Sequence, residues 1–178
     1  LMRAVVPAAA LIGVVVQSFS MLYMPSAVRL HAQGDHDALH EHHWRSAAWV
    51  TILSFPLFGL TFAIAPALVP VLLGDAYAES AGILAVLAVG HYVSVCMAFN
   101  SDALQVFERI RGLVVIDVAM MILGCGLAVL LCPEMGALGA AIAVTAARVV
   151  GAFSRHVLLS RTPGMGRIPS SQRGVWVK

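Results

Sequence analysis

The chain reads as an all-α, polytopic membrane bundle of about five spanning helices. Three observations carry that reading. Five long stretches are almost free of charge, the composition is that of a lipid-embedded protein, and the basic residues alternate between the loops. Residues 4–28, 46–74 and 80–101 contain no Asp, Glu, Lys or Arg; 112–133 holds only Asp117, and 135–160 only Arg148 and Arg155. Each exceeds the roughly 20 residues needed to cross a ~30 Å hydrocarbon layer. Hydrophobic residues make up 60% of the 178, charged residues 11%, and the mean hydropathy is +0.90. A soluble domain carries about 25% charge. The expected spans are 4–25, 46–73, 80–101, 112–132 and 136–158 within a bundle at 1–160, followed by a disordered tail at 161–178 rich in Gly, Pro, Ser and basic residues.

The first stretch opens Leu1-Met2-Arg3 and is too long for a signal-peptide core of roughly 7–15 residues. It is expected to be a spanning helix in a piece of a longer protein, closing at Tyr23-Met24-Pro25 with Tyr23 in the aromatic belt. A polar segment, His31 to Arg45, follows; Asp35 suits an N-cap, and Trp44-Arg45 marks re-entry into the interface. The second span carries Pro56, Pro66 and Pro70. Proline frees backbone groups inside a span, so a bend or break is expected here, either as a flexing point or as a static kink. In the fifth span Gly139, Ala143 and Ala147 form a smooth stripe at four-residue spacing, which lets another helix approach closely. Gly124 and Gly126 offer the same in the fourth.

Nine of the eleven basic residues fall on one alternating set of segments: Arg29 and Arg45, Arg109 and Arg111, then Arg155, Arg161, Arg167, Arg173 and Lys178. The loops holding Asp75 with Glu79, and Glu134, have none. The positive-inside rule makes the basic set cytoplasmic, with the C-terminus inside.

Three polar residues inside the spans are the candidate site. Arg148 lies about halfway along the fifth span, some ten residues, or roughly 15 Å, from its cytoplasmic end. An arginine there costs at least ~2.5–3.5 kcal/mol, so it should face a watery cavity, an anion or a carboxylate. Its bland alternatives are a structural Arg–Asp pair or a snorkelling side chain. Asp117 is the candidate carboxylate, and it is the one acidic residue expected within a span. His91, near the middle of the third span, can take up a proton or simply be hydrogen-bonded in the bundle.

His36, His40 and His43 fall at i, i+4 and i+7, one face of a helix, a spacing zinc sites also use. An HExxH pattern is missing, so an exposed polar helix is the first reading and no metal or cofactor is expected. Cys96, Cys125 and Cys132 sit within or beside apolar runs without metal or disulfide spacing. Phosphate-binding loops, nucleophile elbows and paired catalytic carboxylates are absent from the sequence, so neither an enzyme nor a nucleic-acid partner is expected.

The segment Leu73-Gly74-Asp75-Ala76-Tyr77-Ala78-Glu79-Ser80-Ala81-Gly82-Ile83-Leu84 resembles a join in the polysaccharide-biosynthesis flippases. These belong to the multidrug/oligosaccharidyl-lipid/polysaccharide exporter superfamily. Cys132-Pro133-Glu134-Met135-Gly136-Ala137-Leu138-Gly139-Ala140-Ala141-Ile142-Ala143 is similar to that family's proline–glycine–alanine element. Pro25 with Arg29 resembles the proline that ends a helix, and Arg45-Ser46 with Pro56 the start of the next. The similarity covers roughly residues 20–150; the polar tail departs from the family pattern, where a further span is common.

The resemblance implies the C-terminal half of a two-lobed transporter, one incomplete lobe whose partners are membrane lipid, a lipid-linked glycan and the missing N-terminal lobe. Such proteins sit in the bacterial inner membrane and move polyprenyl-linked oligosaccharides by alternating access, as in lipopolysaccharide assembly. No family motif assigns a role to Arg148, His91 or Asp117; on its place within the span alone, Arg148 is expected to attract the anionic head group while the second span flexes. The rivals are a drug/cation antiporter, a non-transporting scaffold using the small-residue stripe, and a metal-dependent membrane enzyme using the histidines.

Overall fold

The computed structural model describes the backbone of residues 2–73 and 80–162, and side chains at 17–56, 58–59, 62 and 82–162. It is helical throughout that range: α1 (Met2–Ala32), α2 (His36–Leu73), α3 (Ser80–Cys96), α4 (Ala98–Val106), α5 (Ile110–Met135) and α6 (Ala137–Ser160). Among the described residues, three stretches are long and apolar enough to cross a membrane: Gly82–Val106, Ile110–Met135 and Ala137–Ser160. At about 1.5 Å per residue each reaches roughly 36–39 Å. The helices α1 and α2 run for 31 and 38 residues.

Three expectations need correcting. The first helix does not close at Pro25 but runs through it to Ala32. The second is unbroken from His36 to Leu73, passing Pro56, Pro66 and Pro70. Proline is tolerated in such helices when neighbouring groups take up the freed carbonyls, so the residue alone does not signal a break. The third span, expected to end at 101, is instead interrupted at Met97 and resumes as α4 to Val106.

The connections are short and locally specified. After α1 the amide of Gly34 donates to His31 and that of Asp35 to Leu30, with Gly34 at φ +71°. This is a Schellman ending, which wants glycine at the left-handed position. Asp35 then caps α2 as the sequence predicts, its carboxylate accepting from the Ala38 amide at 3.0 Å. The same ending closes α4, where Arg109 donates to Leu104 but Glu108 holds φ +56°. One residue, Gly136 at φ +57°, joins α5 to α6.

Packing follows those joins. The helices α5 and α6 lie antiparallel: a Cβ on Gly139 would collide with the Leu131 backbone, Gly124 rests on Ala147 and Gly151 on Met120. The stripe of Gly139, Ala143 and Ala147 is therefore buried inside this chain. On its other flank α6 meets α3, where Gly90 leaves room for Thr145 and the Thr145 hydroxyl donates to the Val86 carbonyl at 3.1 Å. Tyr23, Ala27, Leu39, Val50, Val95, Phe99 and Val106 form the main core among α1 to α4; Ala103, Leu104 and Leu159 form a smaller one between α4 and α6. No residue of α5 is buried.

Candidate functional site

Thr145 fixes α6 against α3, and the next turn of α6 carries Arg148. Its Nη1 donates to Nδ1 of His91 at 3.2 Å. A guanidinium has donors and no acceptor, so this nitrogen of His91 carries no proton. The ring is therefore neutral with its hydrogen on Nε2, and that Nε2 is buried with no hydrogen-bond partner. Arg148 itself is exposed on the surface of the bundle. Two of the three candidate residues are thus brought together.

The third is not, which corrects the expected Arg–Asp pair. Asp117 forms its ion pair with Arg155. The register explains the choice: Met120 lies level with Gly151 and Gly124 level with Ala147, which puts Asp117 beside Arg155. Arg148 stands two turns, or about 10 Å, further along α6.

The sequence reading missed Asp102. It lies on α4 inside the apolar stretch Gly82–Val106 and accepts a hydrogen bond from Ser20 of α1 at 2.8 Å. The stretch passes residue 101, so Asp102 joins Asp117 and Glu134 as a third carboxylate on membrane-length segments. The signal available was its position one residue beyond an uncharged run.

Six of the seven histidines gather at the end where α1, α4 and α6 finish and α2 and α5 begin. Contrary to the exposed polar helix expected, His40 and His43 are buried. Tyr23 stacks on His42 with centroids 5.2 Å apart and shares a 3.2 Å hydrogen bond with Nδ1 of His43. The Trp44 indole donates to Nε2 of His40 at 3.2 Å and meets His156 edge-on. His36 instead turns toward His31 and Phe107, so His36, His40 and His43 do not converge. Among the described residues, no group of three or more His, Cys, Asp or Glu is placed to hold a metal ion. Burial, then the neighbouring His40, push His43 from 6.5 down to about 4, against a hydrogen bond from Asn100.

An apolar groove of about 490 Å³ runs along the outside of α5 and α6 past Ile116, Phe153 and Val157 to Arg161, apart from the polar pair.

Residues 6–82 match the polysaccharide biosynthesis protein family. That stretch takes in α1, α2 and the start of α3, and it supports the resemblance carried by Pro25, Arg29, Arg45-Ser46, Pro56 and the 73–84 join. Residues 74–79 of that join lie outside the described residues, as does the expected tail from 163 onward. No curated protein and no solved structure matches the chain. The family match and the membrane-length helices together are consistent with a membrane-associated role in polysaccharide synthesis or export.

Proposed function

We propose that the chain is part of a bacterial inner-membrane flippase that moves a polyprenyl-linked glycan precursor by alternating access. In this reading α1 and α2 add two spans to the three stretches of membrane length, the C-terminus is cytoplasmic, and a further helical lobe completes the transporter. It is a carrier and not an enzyme. The observation that carries the proposal is Arg148, midway along α6 and exposed on the bundle, with a neutral imidazole and not a carboxylate as its partner. A cation at that depth is costly against lipid, which favours a face turned to a watery cavity and an anionic ligand. The lipid-linked phosphate of such a precursor fits that demand.

Arg148→Ala in the intact protein is expected to abolish translocation of the lipid-linked glycan while membrane insertion stays normal. Unchanged translocation would remove Arg148 from the mechanism. The drug/cation antiporter remains a second reading because of Asp102, a half-buried carboxylate hydrogen-bonded between two helices. Loss of drug resistance in Asp102→Asn cells, with glycan export intact, would favour it. The scaffold reading is weaker, since the small-residue stripe is already occupied by α5.

A further inference from the structure

We propose that His91 is a proton-operated latch on Arg148: the neutral ring holds the guanidinium, and a proton on Nδ1 releases it to bind an anion. This rests on the reading of Arg148 as the anion-binding residue and adds the control of that site.

The lone pair on Nδ1 is the only group of the ring that can accept from Arg148, and Nη1 stands 3.2 Å from it. Proton uptake occupies that same lone pair. Both partners are then donors and both are cations, so the hydrogen bond is lost and replaced by repulsion. The ring cannot swing over to offer another acceptor, because Nε2 already carries the hydrogen of the neutral form. Arg148, exposed at the bundle surface, is free to turn toward a ligand while its Thr145 neighbour keeps α6 anchored on α3. The anion itself then favours the charged ring, so the proton and the anion bind with positive linkage.

The surroundings make the switch local. Across from α3, α2 carries no ionisable side chain from Ser46 to Leu73. On α3 itself the neighbouring Tyr92 is stacked on Phe58 of α2. Ser94 donates to its own helix at Gly90, and Cys96 lies more than a turn away. From α6 the charged group is Arg148 alone; Arg155 is engaged with Asp117 two turns away. On α1 the ionisable side chains nearest along the chain, Tyr23 and beyond, pack near Val95 and Phe99, toward the histidine-rich end. One proton on one ring therefore decides whether Arg148 is held.

The test uses the full-length protein in lipid nanodiscs and inorganic sulfate as probe, a tetrahedral dianion whose charge is constant across the range. Sulfate binding is measured calorimetrically at about pH 5.5 and about pH 8, on either side of the ordinary histidine range. The wild type is expected to bind about tenfold more tightly at the lower pH. His91→Gln, which keeps an acceptor for Arg148 but cannot take a proton, is expected to bind weakly at both. His91→Ala, with no acceptor, is expected to bind tightly at both. If affinity does not change with pH yet vanishes in Arg148→Ala, the latch is wrong and the anion site stands. If His91→Gln keeps the full pH response, the response belongs to other groups and the latch is likewise overturned. Sulfate binding that survives Arg148→Ala overturns the latch together with the reading it rests on.

Discussion

Arg148 and Trp44 share a property that selects the ring nitrogen each can meet, since each can only donate. Trp44 donates to Nε2 of His40, one helical turn before it. Next to it, His43 is buried at a junction of α1, α2, α4 and α6 and holds its proton only below about 4. Between 6.5 and about 4 the unfolded chain binds a proton there and the folded chain does not. Stability is thus complete above that window and falls as pH drops through it, by up to roughly 3 kcal/mol. The purified protein's melting temperature should fall steadily from pH 7 to pH 4, and His43→Gln should flatten the slope over the same interval. None of this was readable from the i, i+4, i+7 spacing. That spacing groups histidines on one helix face, but Tyr23 and Asn100, which decide their environment, come from other helices.

The hairpin of α5 and α6 explains its own sequence. Gly136 supplies a positive φ for a one-residue turn, and Gly139 lets the Leu131 carbonyl pass where a Cβ would collide. Gly139→Ala should lower stability by about 1–3 kcal/mol, as overpacking does, whereas Gly126→Ala, with open space around it, should be neutral within error in thermal melts. At the α4 to α5 turn Glu108 holds a left-handed conformation that costs a side-chain-bearing residue about 1 kcal/mol. Glu108→Gly should therefore raise the melting temperature; a decrease would mean that the extra freedom of glycine in the unfolded chain outweighs the relief. The stripe of Gly139, Ala143 and Ala147 was legible because its spacing is periodic, whereas Gly126, expected to take a close contact as Gly124 does, has open space around it. The break at Met97 was not legible, since Cys96-Met97-Ala98 contains neither proline nor glycine, and the continuity of α2 was hidden by prolines that a helix in lipid can absorb. Asp117 was recognised, but its partner depends on the α5–α6 register, which no local pattern encodes.

At the scale of the whole chain, Arg29, Arg45, Arg109, Arg111, Arg155 and Arg161 all belong to helix ends or starts at the histidine-rich pole, whereas Glu134 sits at the opposite turn. The alternation of charge read from the sequence is thus mirrored by the packing. In a background lacking Cys96, Cys125 and Cys132, Glu134→Cys should react with an impermeant maleimide on intact cells. Glu41→Cys should react only after the membrane is opened; the opposite pattern, Glu41→Cys labelled on intact cells and Glu134→Cys protected, would reverse the proposed orientation.

The one-glycine turn also bears on how the chain is made. A helix of 26 residues and one of 24, joined without any hydrophilic stretch, give a translocating machinery no place to pause between them. In the orientation proposed above, the two enter the bilayer as a folded-over unit with Glu134 at its tip. Because α5 buries nothing of its own, its place after entry depends on α6 finding α3. The contacts of Thr145 with Gly90 and Val86, which seat α6 on α3, join residues 55 or more apart in the chain and so form only once α6 has been made.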